Sequence, residues 1–252
     1  FDAPTLLYAL PWKTCGAHVT SVVQLDAQGH MALALASEAN DGLALLDGGS
    51  GTLITQMDPF TEFISIAECG TVAGVDPSSV ELVCTQNYPG YGGERQVFLV
   101  RYSSNPGPSL TLGWLHVIGD IADGDIAVTA DSIVDLDEDG SVEVVVSGRT
   151  ATEWTTYIYS AASGQEIATI AGARFEGTAA FESTTSRLIL TSANGSLSTY
   201  AFDALAQPPV TPRWTLTERA LIQYADPGLA ATQSLAARGG RGDLDGDGLD
   251  EI

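Results

Sequence analysis

One short pattern recurs five times along the chain, and it limits the folds that are open to the chain. In each copy a short apolar stretch leads to an acidic residue and a turn, after which an apolar run begins. The copies lie at residues 22–37, 72–86, 133–148, 179–195 and 241–252, with their aligned acidic residues 45 to 63 positions apart. A motif that returns at such intervals is typical of folds built from repeated supersecondary units.

Further strand-like runs lie between the copies. Residues 42–54 and 156–170 each read as a strand, a glycine-containing turn and a second strand, and residues 96–112 and 197–216 follow the same form more loosely. Each unit therefore offers about four short strands, and no stretch shows a capped helical period. Four strands in roughly 50 residues predicts an all-β fold, namely a β-propeller of four-stranded blades. A β-sandwich is the competing architecture, but it does not require a repeated motif.

The ends of the chain raise the question of how such a repeat is completed. Four units are complete, and the fifth stops at Ile252, where its first strand is expected to begin. Residues 5–12 have the pattern of an outer strand whose inner strands are missing. We interpret residues 1–252 as a single propeller domain or part of one. Either the two ends close a mixed blade or further polypeptide completes the propeller, and the abrupt stop favours the second alternative.

Two copies of the repeat contain a complete acidic loop of the form D-x-D-x-D-G-x-x-E. The first contains Asp135, Asp137, Asp139, Gly140, Ser141 and Glu143, and the second contains Asp243, Asp245, Asp247, Gly248, Leu249 and Glu251. Carboxylates at positions 1, 3 and 5 converge when such a loop curls, glycine permits the turn, and the last carboxylate closes the shell. An EF-hand needs flanking helices and a glutamate at position 12, which is Val146 here. The loops therefore predict hard-cation sites of another kind.

The other three copies depart from this loop pattern. Each keeps one acidic residue at position 3 and has an apolar residue at position 9: Asp26 with Ala32, Asp76 with Leu82, and Glu182 with Leu188. A single carboxylate does not hold calcium against water. We expect no metal in these three turns, which must then be stabilised by packing and by hydrogen bonds.

The sequences DLDEDGSVEVVVSG and GDLDGDGLDEI resemble the FG-GAP/VCBS repeats of integrin-α-type β-propellers. In that family a calcium ion lies in the turn between two strands of a blade. The resemblance implies one Ca2+ site formed by Asp135, Asp137, Asp139, the Ser141 carbonyl and Glu143, and another formed by Asp243, Asp245, Asp247, the Leu249 carbonyl and Glu251. It covers the repeat motifs directly, and its period extends over nearly the whole chain.

The charge of the chain excludes several classes of partner. Asp and Glu number 32 against 10 Lys and Arg, so the formal net charge is −22. A surface this acidic repels phosphate, which argues against nucleic acid and anionic membranes, and it favours divalent cations. No apolar run approaches the roughly 20 residues that a membrane-spanning helix needs.

Three cysteines, Cys15, Cys69 and Cys84, show no metal-binding spacing. Cys69 and Cys84 flank a short segment and could form a disulfide if paired strands bring them together. The pairing among the three stays open at this point.

These features favour a calcium-stabilised, non-enzymatic propeller of the extracellular space or the cell surface. We expect it to act in adhesion, binding or assembly, with a protein or glycan partner. No nucleophile elbow, dinucleotide-binding motif or P-loop is present. The alternatives are a polysaccharide lyase, since the DGDGxDEI string is similar to calcium loops of rhamnogalacturonan lyases, and a propeller lectin. The scarcity of basic residues argues against the lyase, and the divergence between repeats argues against the lectin.

Overall fold

A computed structural model describes residues 17–26, 28–37, 42–57, 66–72, 79–86, 94–120, 132–149, 153–180, 186–192 and 197–216. This part of the chain contains sixteen β-strands and no α-helix, which confirms the all-β prediction. Within it, no helix is long and apolar enough to cross a bilayer. The chain divides into two compact units, Phe1–Ile133 and Val134–Ile252.

The first unit contains two four-stranded sheets. One consists of β1 (Ala17–Gln24), β2 (Met31–Ser37), β3 (Leu43–Asp47) and β4 (Leu53–Met57). The other consists of β5 (Ile66–Thr71), β6 (Ser79–Gln86), β7 (Glu94–Ser103) and β8 (Ser109–Asp120). In both sheets each strand pairs antiparallel with the next one along the chain.

Apart from Ile133, the first residue of β9, two more sheets with the same order of strands belong to the second unit. The third sheet consists of β9 (Ile133–Val134), β10 (Glu143–Arg149), β11 (Trp154–Ser160) and β12 (Glu166–Ala171). The fourth consists of β13 (Ala173–Ala180), β14 (Ser186–Ser192), β15 (Leu197–Phe202) and β16 (Val210–Leu216).

The four complete copies of the repeat fall at equivalent places in the four sheets. Each spans the connection from the first strand to the second, and the runs between copies form the third and fourth strands. The prediction of four strands per repeat is therefore confirmed. Residues 5–12 and the fifth copy, 241–252, lie outside the described residues. The assembly of these sheets into a propeller stays a prediction.

The β3–β4 hairpin of the first sheet and the β11–β12 hairpin of the third sheet are built alike. Gly51 N donates to Asp47 O and Gly164 N donates to Ser160 O, both at 2.8 Å. The two glycines have φ angles of 69° and 72°, in the left-handed region that favours glycine. Each of these turns also forms a hydrogen bond with the hairpin made by the first two strands of its sheet. Gly48 N donates to Met31 O, and Ala161 N donates to Val142 O. The repeat therefore extends to individual hydrogen bonds.

The core of the first unit lies between its two sheets. Central strands supply fully buried side chains, among them Leu43, Leu45 and Phe98. Strand β3 is buried along four of its five residues, because a strand covered on both faces reads as a continuous apolar run. Cys69 and Cys84 are directly paired residues of β5 and β6, and they form a disulfide inside this core. The structure thus settles the cysteine pairing that the sequence left open.

In the second unit two hydroxyl groups satisfy the free edge of β13. Ser147 Oγ accepts a hydrogen bond from Phe175 N at 2.7 Å, and Thr156 Oγ1 donates to Ala173 O at 2.9 Å. The two hydroxyls also bond to each other at 2.8 Å. Since β13 is the first strand of its sheet, these main-chain groups have no neighbouring strand on that side. The third sheet therefore supplies their partners through side chains.

Candidate metal centre

The loop between β9 and β10 holds the acidic residues of the first predicted site. Leu136 in this loop is fully buried and belongs to the same core cluster as Phe202 of β15. Asp135 and Asp137, its neighbours in sequence, are partly buried. The buried leucine anchors the loop to the core of the second unit, which limits how far the adjacent carboxylates can move.

Asp135 organises the turn by accepting hydrogen bonds from the main chain. Its Oδ1 accepts from Asp139 N at 3.1 Å and its Oδ2 from Gly140 N at 2.9 Å. Asp139 Oδ1 in turn accepts from Ser141 N at 2.7 Å. Gly140 has a φ of 90°, which glycine adopts without strain. The acidic loop is therefore a tight turn whose own carboxylates cap its amides.

Glu143 begins β10 and is only 1% exposed. Its Oε2 accepts a hydrogen bond from Leu136 N at 2.9 Å. Burial raises the pKa of Glu143 to about 7; the Leu136 amide opposes this shift, and the charges of Asp137, Asp139 and Asp135 add to it. None of the ion pairs among the described residues involves Glu143. This carboxyl group is thus buried without a cationic partner from the described part of the chain.

Asp137 links the loop to the neighbouring sheet of the same unit. Its Oδ2 accepts a hydrogen bond of 2.8 Å from the main-chain amide of Ala204, in the turn between β15 and β16. Its Oδ1 is buried and has no hydrogen-bond partner. A buried carboxylate oxygen without a partner is destabilising unless a cation or another donor compensates it.

Three of the predicted ligands come together in this loop. Asp135, Asp137 and Glu143 each offer a carboxylate oxygen, and these oxygens lie within 4.8 Å of one another. A donor set made only of oxygen suits hard divalent cations and not the softer metals that prefer histidine or cysteine. The arrangement fits the hard-cation site that the sequence predicts.

The remaining predicted ligands are not part of this group. Asp139 is exposed and its Oδ1 bonds to Ser141 N, while Ser141 itself is exposed. The residues of the second predicted site, Asp243, Asp245, Asp247, Leu249 and Glu251, lie outside the described residues. So do Asp76 and Glu182, the acidic residues of two of the divergent copies.

The divergent copy in the first sheet forms a turn of a different kind. Asp26 Oδ1 accepts hydrogen bonds from Gln28 N and His30 N, both at 3.0 Å. Gln24 Nε2 donates to Asp26 O at 2.8 Å, and Ala32 at position 9 is fully buried. Main-chain amides therefore saturate one oxygen of the single carboxylate in this turn.

The sequence did not indicate two groups that shape the acidic loop. The amide of Leu136 holds Glu143 in place, and the amide of Ala204 holds Asp137. Main-chain amides carry no residue-specific signal, and Ala204 is 67 positions from Asp137. Only the packing of the two sheets of the second unit reveals the second of these contacts.

Comparison of the chain with protein-family models and with curated proteins finds no match. The resemblance of the acidic loops to FG-GAP/VCBS repeats therefore stays a prediction.

Proposed function

We propose that the β9–β10 loop binds a calcium ion. The observation that carries this proposal is Glu143, a buried carboxyl group placed with Asp135 and Asp137 in one cluster of oxygens. Taking a carboxylate out of water is costly unless a positive charge accompanies it. A bound divalent cation supplies that charge, and it also gives the unpartnered oxygen of Asp137 a ligand role.

Calcium suits the loop better than magnesium. Calcium accepts six to eight oxygen ligands in an adaptable geometry, whereas magnesium requires a near-ideal octahedron and keeps several of its waters. The loop pattern adds two further oxygen donors to the cluster of three, namely the Asp139 carboxylate and the Ser141 carbonyl. A tight loop with this many carboxylates is typical of calcium sites.

In this proposal calcium has a structural role in a β-propeller. The support for a propeller is the fourfold repetition of a four-stranded antiparallel sheet in chain order. Within the first unit, moreover, β1 lies against β5 and β4 against β8, so that corresponding strands of successive sheets meet. Successive blades of a propeller are arranged in this way. Calcium then stabilises the folded chain by mass action.

We further propose that the protein is an extracellular or cell-surface module for adhesion, binding or assembly. The disulfide between Cys69 and Cys84 supports an oxidising compartment, where calcium is also abundant. The net charge of −22 repels nucleic acid, and it favours partners that bind together with divalent cations. We expect the partner to be a protein or a glycan.

The calcium proposal is tested by titrating calcium into chelator-treated protein and measuring heat and thermal stability. Because the loop at Asp245 is also predicted to bind calcium, the titration is made in an Asp245→Asn background. We expect one ion per chain, and we expect Glu143→Gln to weaken its binding at least tenfold. Asp26→Asn, at the position equivalent to Asp137, is the matched control and should leave calcium binding unchanged. Absence of calcium binding at millimolar concentrations would contradict the proposal.

The functional class is tested separately with a glycan array, probed once in calcium and once in chelator. An adhesion or assembly module for protein partners gives no glycan signal. A calcium-dependent signal would identify a glycan partner, which the adhesion module and the lectin alternative both allow. Formation of unsaturated products that absorb ultraviolet light from acidic polysaccharide would favour the lyase, and it would contradict a non-enzymatic role.

A further inference from the structure

A histidine lies between two aspartates at one end of the first sheet. His30 belongs to the turn between β1 and β2, and its Nε2 donates to Asp47 Oδ2 at 2.6 Å. On the other side of the ring, His30 Nδ1 is 3.9 Å from Asp26 Oδ2. The imidazole therefore connects the first turn of this sheet to the end of β3.

The strand register shows that these positions correspond to the acidic loop of the third sheet. Asp47 is paired with Ala32, just as Ser160 is paired with Glu143. The first sheet thus has no carboxylate at Ala32 on β2, but it has one at Asp47 on β3, the residue paired with Ala32. Asp26 takes the position of Asp137, and His30 that of Ser141. The first sheet therefore has one carboxylate in the position of Asp137 and a second one, Asp47, in the position of Ser160, with an imidazole between them.

The arrangement distinguishes between the two charge states of the imidazole. A neutral ring has a single N–H, and the Nε2–H is used by Asp47. Its Nδ1 would then point a lone pair toward the carboxylate of Asp26. A protonated ring instead presents an N–H to both carboxylates and balances part of their charge. The geometry thus favours the imidazolium.

We propose that His30, Asp26 and Asp47 form a proton-dependent clasp, in which an imidazolium joins the β1–β2 turn to the end of β3 and balances part of the charge there. The proposal does not depend on calcium binding in the β9–β10 loop. These three side chains do not form a metal site, because the two ring nitrogens face different carboxylates and the side chains do not converge on one point.

The surrounding charged groups define the direction of the pH response. Asp47 and Asp26 face His30. Tyr102 on β7 also lies near this group: burial raises the pKa of Tyr102, and the charge of Asp26 raises it further. The hydrogen bond to Asp47, followed by the charges of Asp47 and Asp26, raises the pKa of His30 despite some desolvation. The clasp is therefore fully formed below the ordinary histidine pKa, and it opens as pH rises through the higher pKa of the folded state.

The proposal is tested first on the unmodified protein, by following its three histidine rings by NMR from pH 5 to pH 9 in chelator. His30→Gln assigns the signal of His30. We expect the pKa of His30 to lie above the ordinary value of about 6.5. We expect it to fall toward that value in Asp47→Asn. This substitution retains an Oδ1 that can cap Gly49 N and Ser50 N, and it replaces only the charged oxygen that faces the ring.

Thermal unfolding between pH 6 and pH 8.5, again in chelator, tests the consequence for stability. The unmodified protein should lose melting temperature across this range to a greater extent than His30→Gln. His116→Gln on β8 is the matched control for the removal of an imidazole, and the slope of His30→Gln is compared with it. A His30 pKa at or below 6.5, or one that Asp47→Asn leaves unchanged, would overturn the proposal. Equal slopes for His30→Gln and the unmodified protein would overturn it as well. A failure of calcium binding would affect neither measurement.

Discussion

Asp137 Oδ2 accepts a hydrogen bond of 2.8 Å from the main-chain amide of Ala204, a residue 67 positions later in the chain. The bond joins the β9–β10 loop of the third sheet to the β15–β16 turn of the fourth. The other oxygen of the same carboxylate is buried with no hydrogen-bond partner. One aspartate therefore has a structural contact that is present without metal and an oxygen that remains available to a cation.

This double role predicts two separate losses in Asp137→Ala. Without calcium, loss of the bond to Ala204 should cost about 1 kcal/mol, the usual net contribution of a hydrogen bond. With calcium in excess the loss should be larger, because a ligand is removed as well, and calcium at 100 times its Kd adds about 2.7 kcal/mol of stability. Urea unfolding in calcium and in chelator measures both. Asp26→Ala, the equivalent change in the first sheet, should lose the same amount in either buffer. If Asp137→Ala did so too, Asp137 would not be a calcium ligand.

The raised pKa of Glu143 predicts that stability in chelator depends on pH. The folded state holds this proton more tightly than the unfolded state, since burial raises the pKa of Glu143 to about 7. Stability should therefore fall as pH rises from about 4.5 through 7, by roughly 3 kcal/mol at full ionisation. Glu143→Gln cannot ionise, so its unfolding free energy should lack this component. Chemical denaturation at several pH values in chelator gives the comparison, and parallel curves for the two proteins would refute the expectation.

Gly140→Ala tests the backbone of the acidic loop without introducing a clash. A Cβ at Gly140 meets no atom within 4 Å, but its φ of 90° is one that alanine adopts only with strain. We expect a loss of about 1–2 kcal/mol and weaker calcium binding, because the strained loop presents its carboxylates less well. Gly107→Ala is the control, since it too has open space around its Cβ but no left-handed φ. Equal effects of the two substitutions would mean that the conformation of Gly140 is not important.

The repeat made the strands predictable, because alternating apolar runs and turn residues are local signals. The β3–β4 and β11–β12 hairpins could be located in this way from their glycine-containing turns. The contact of Asp137 with Ala204 and the hydroxyl bonds from Ser147 to β13 were not predictable, since they depend on the packing of one sheet against the next.

The site itself was predictable only in part. The D-x-D-x-D-G-x-x-E pattern identified Asp135, Asp137 and Glu143, whose oxygens the fold brings together. It could not show that Asp139 bonds to the amide of Ser141, because the direction of an exposed side chain depends on the turn that forms. No sequence motif indicates the His30 clasp, because its two aspartates come from different strands and turns.

The disulfide should contribute to stability through the segment that it closes. Cys69 and Cys84 are 15 positions apart, and closing a loop of that length corresponds to about 3 kcal/mol in the chain-entropy treatment. Replacing both cysteines with alanine should lower the unfolding free energy by at least that amount, because two buried sulfur atoms are removed from the core as well. Reductant should then have no further effect on the variant. Non-reducing peptide mapping should find Cys69 bonded to Cys84 in Cys15→Ser as in the unmodified protein. Any other pairing would contradict the structure.

Ser147→Ala should lower the stability of the second unit measurably, although it removes only one oxygen. That oxygen accepts from Phe175 N and bonds to Thr156 Oγ1, so its loss leaves an amide of the β13 edge without its acceptor. An unsatisfied buried group of this kind costs about 1–3 kcal/mol.

Thr156→Val removes the donor to Ala173 O in the same network and should cost a comparable amount. Because the two hydroxyls bond to each other, the double variant should lose less than the two single losses added together. Thr169→Val is the control. The hydroxyl of this exposed residue of β12 donates to Glu166 in the same strand, and its loss should change stability by less than about 0.5 kcal/mol. Additive losses in Ser147→Ala and Thr156→Val, measured by urea unfolding, would show that the hydroxyls do not act together in joining β13 to the third sheet.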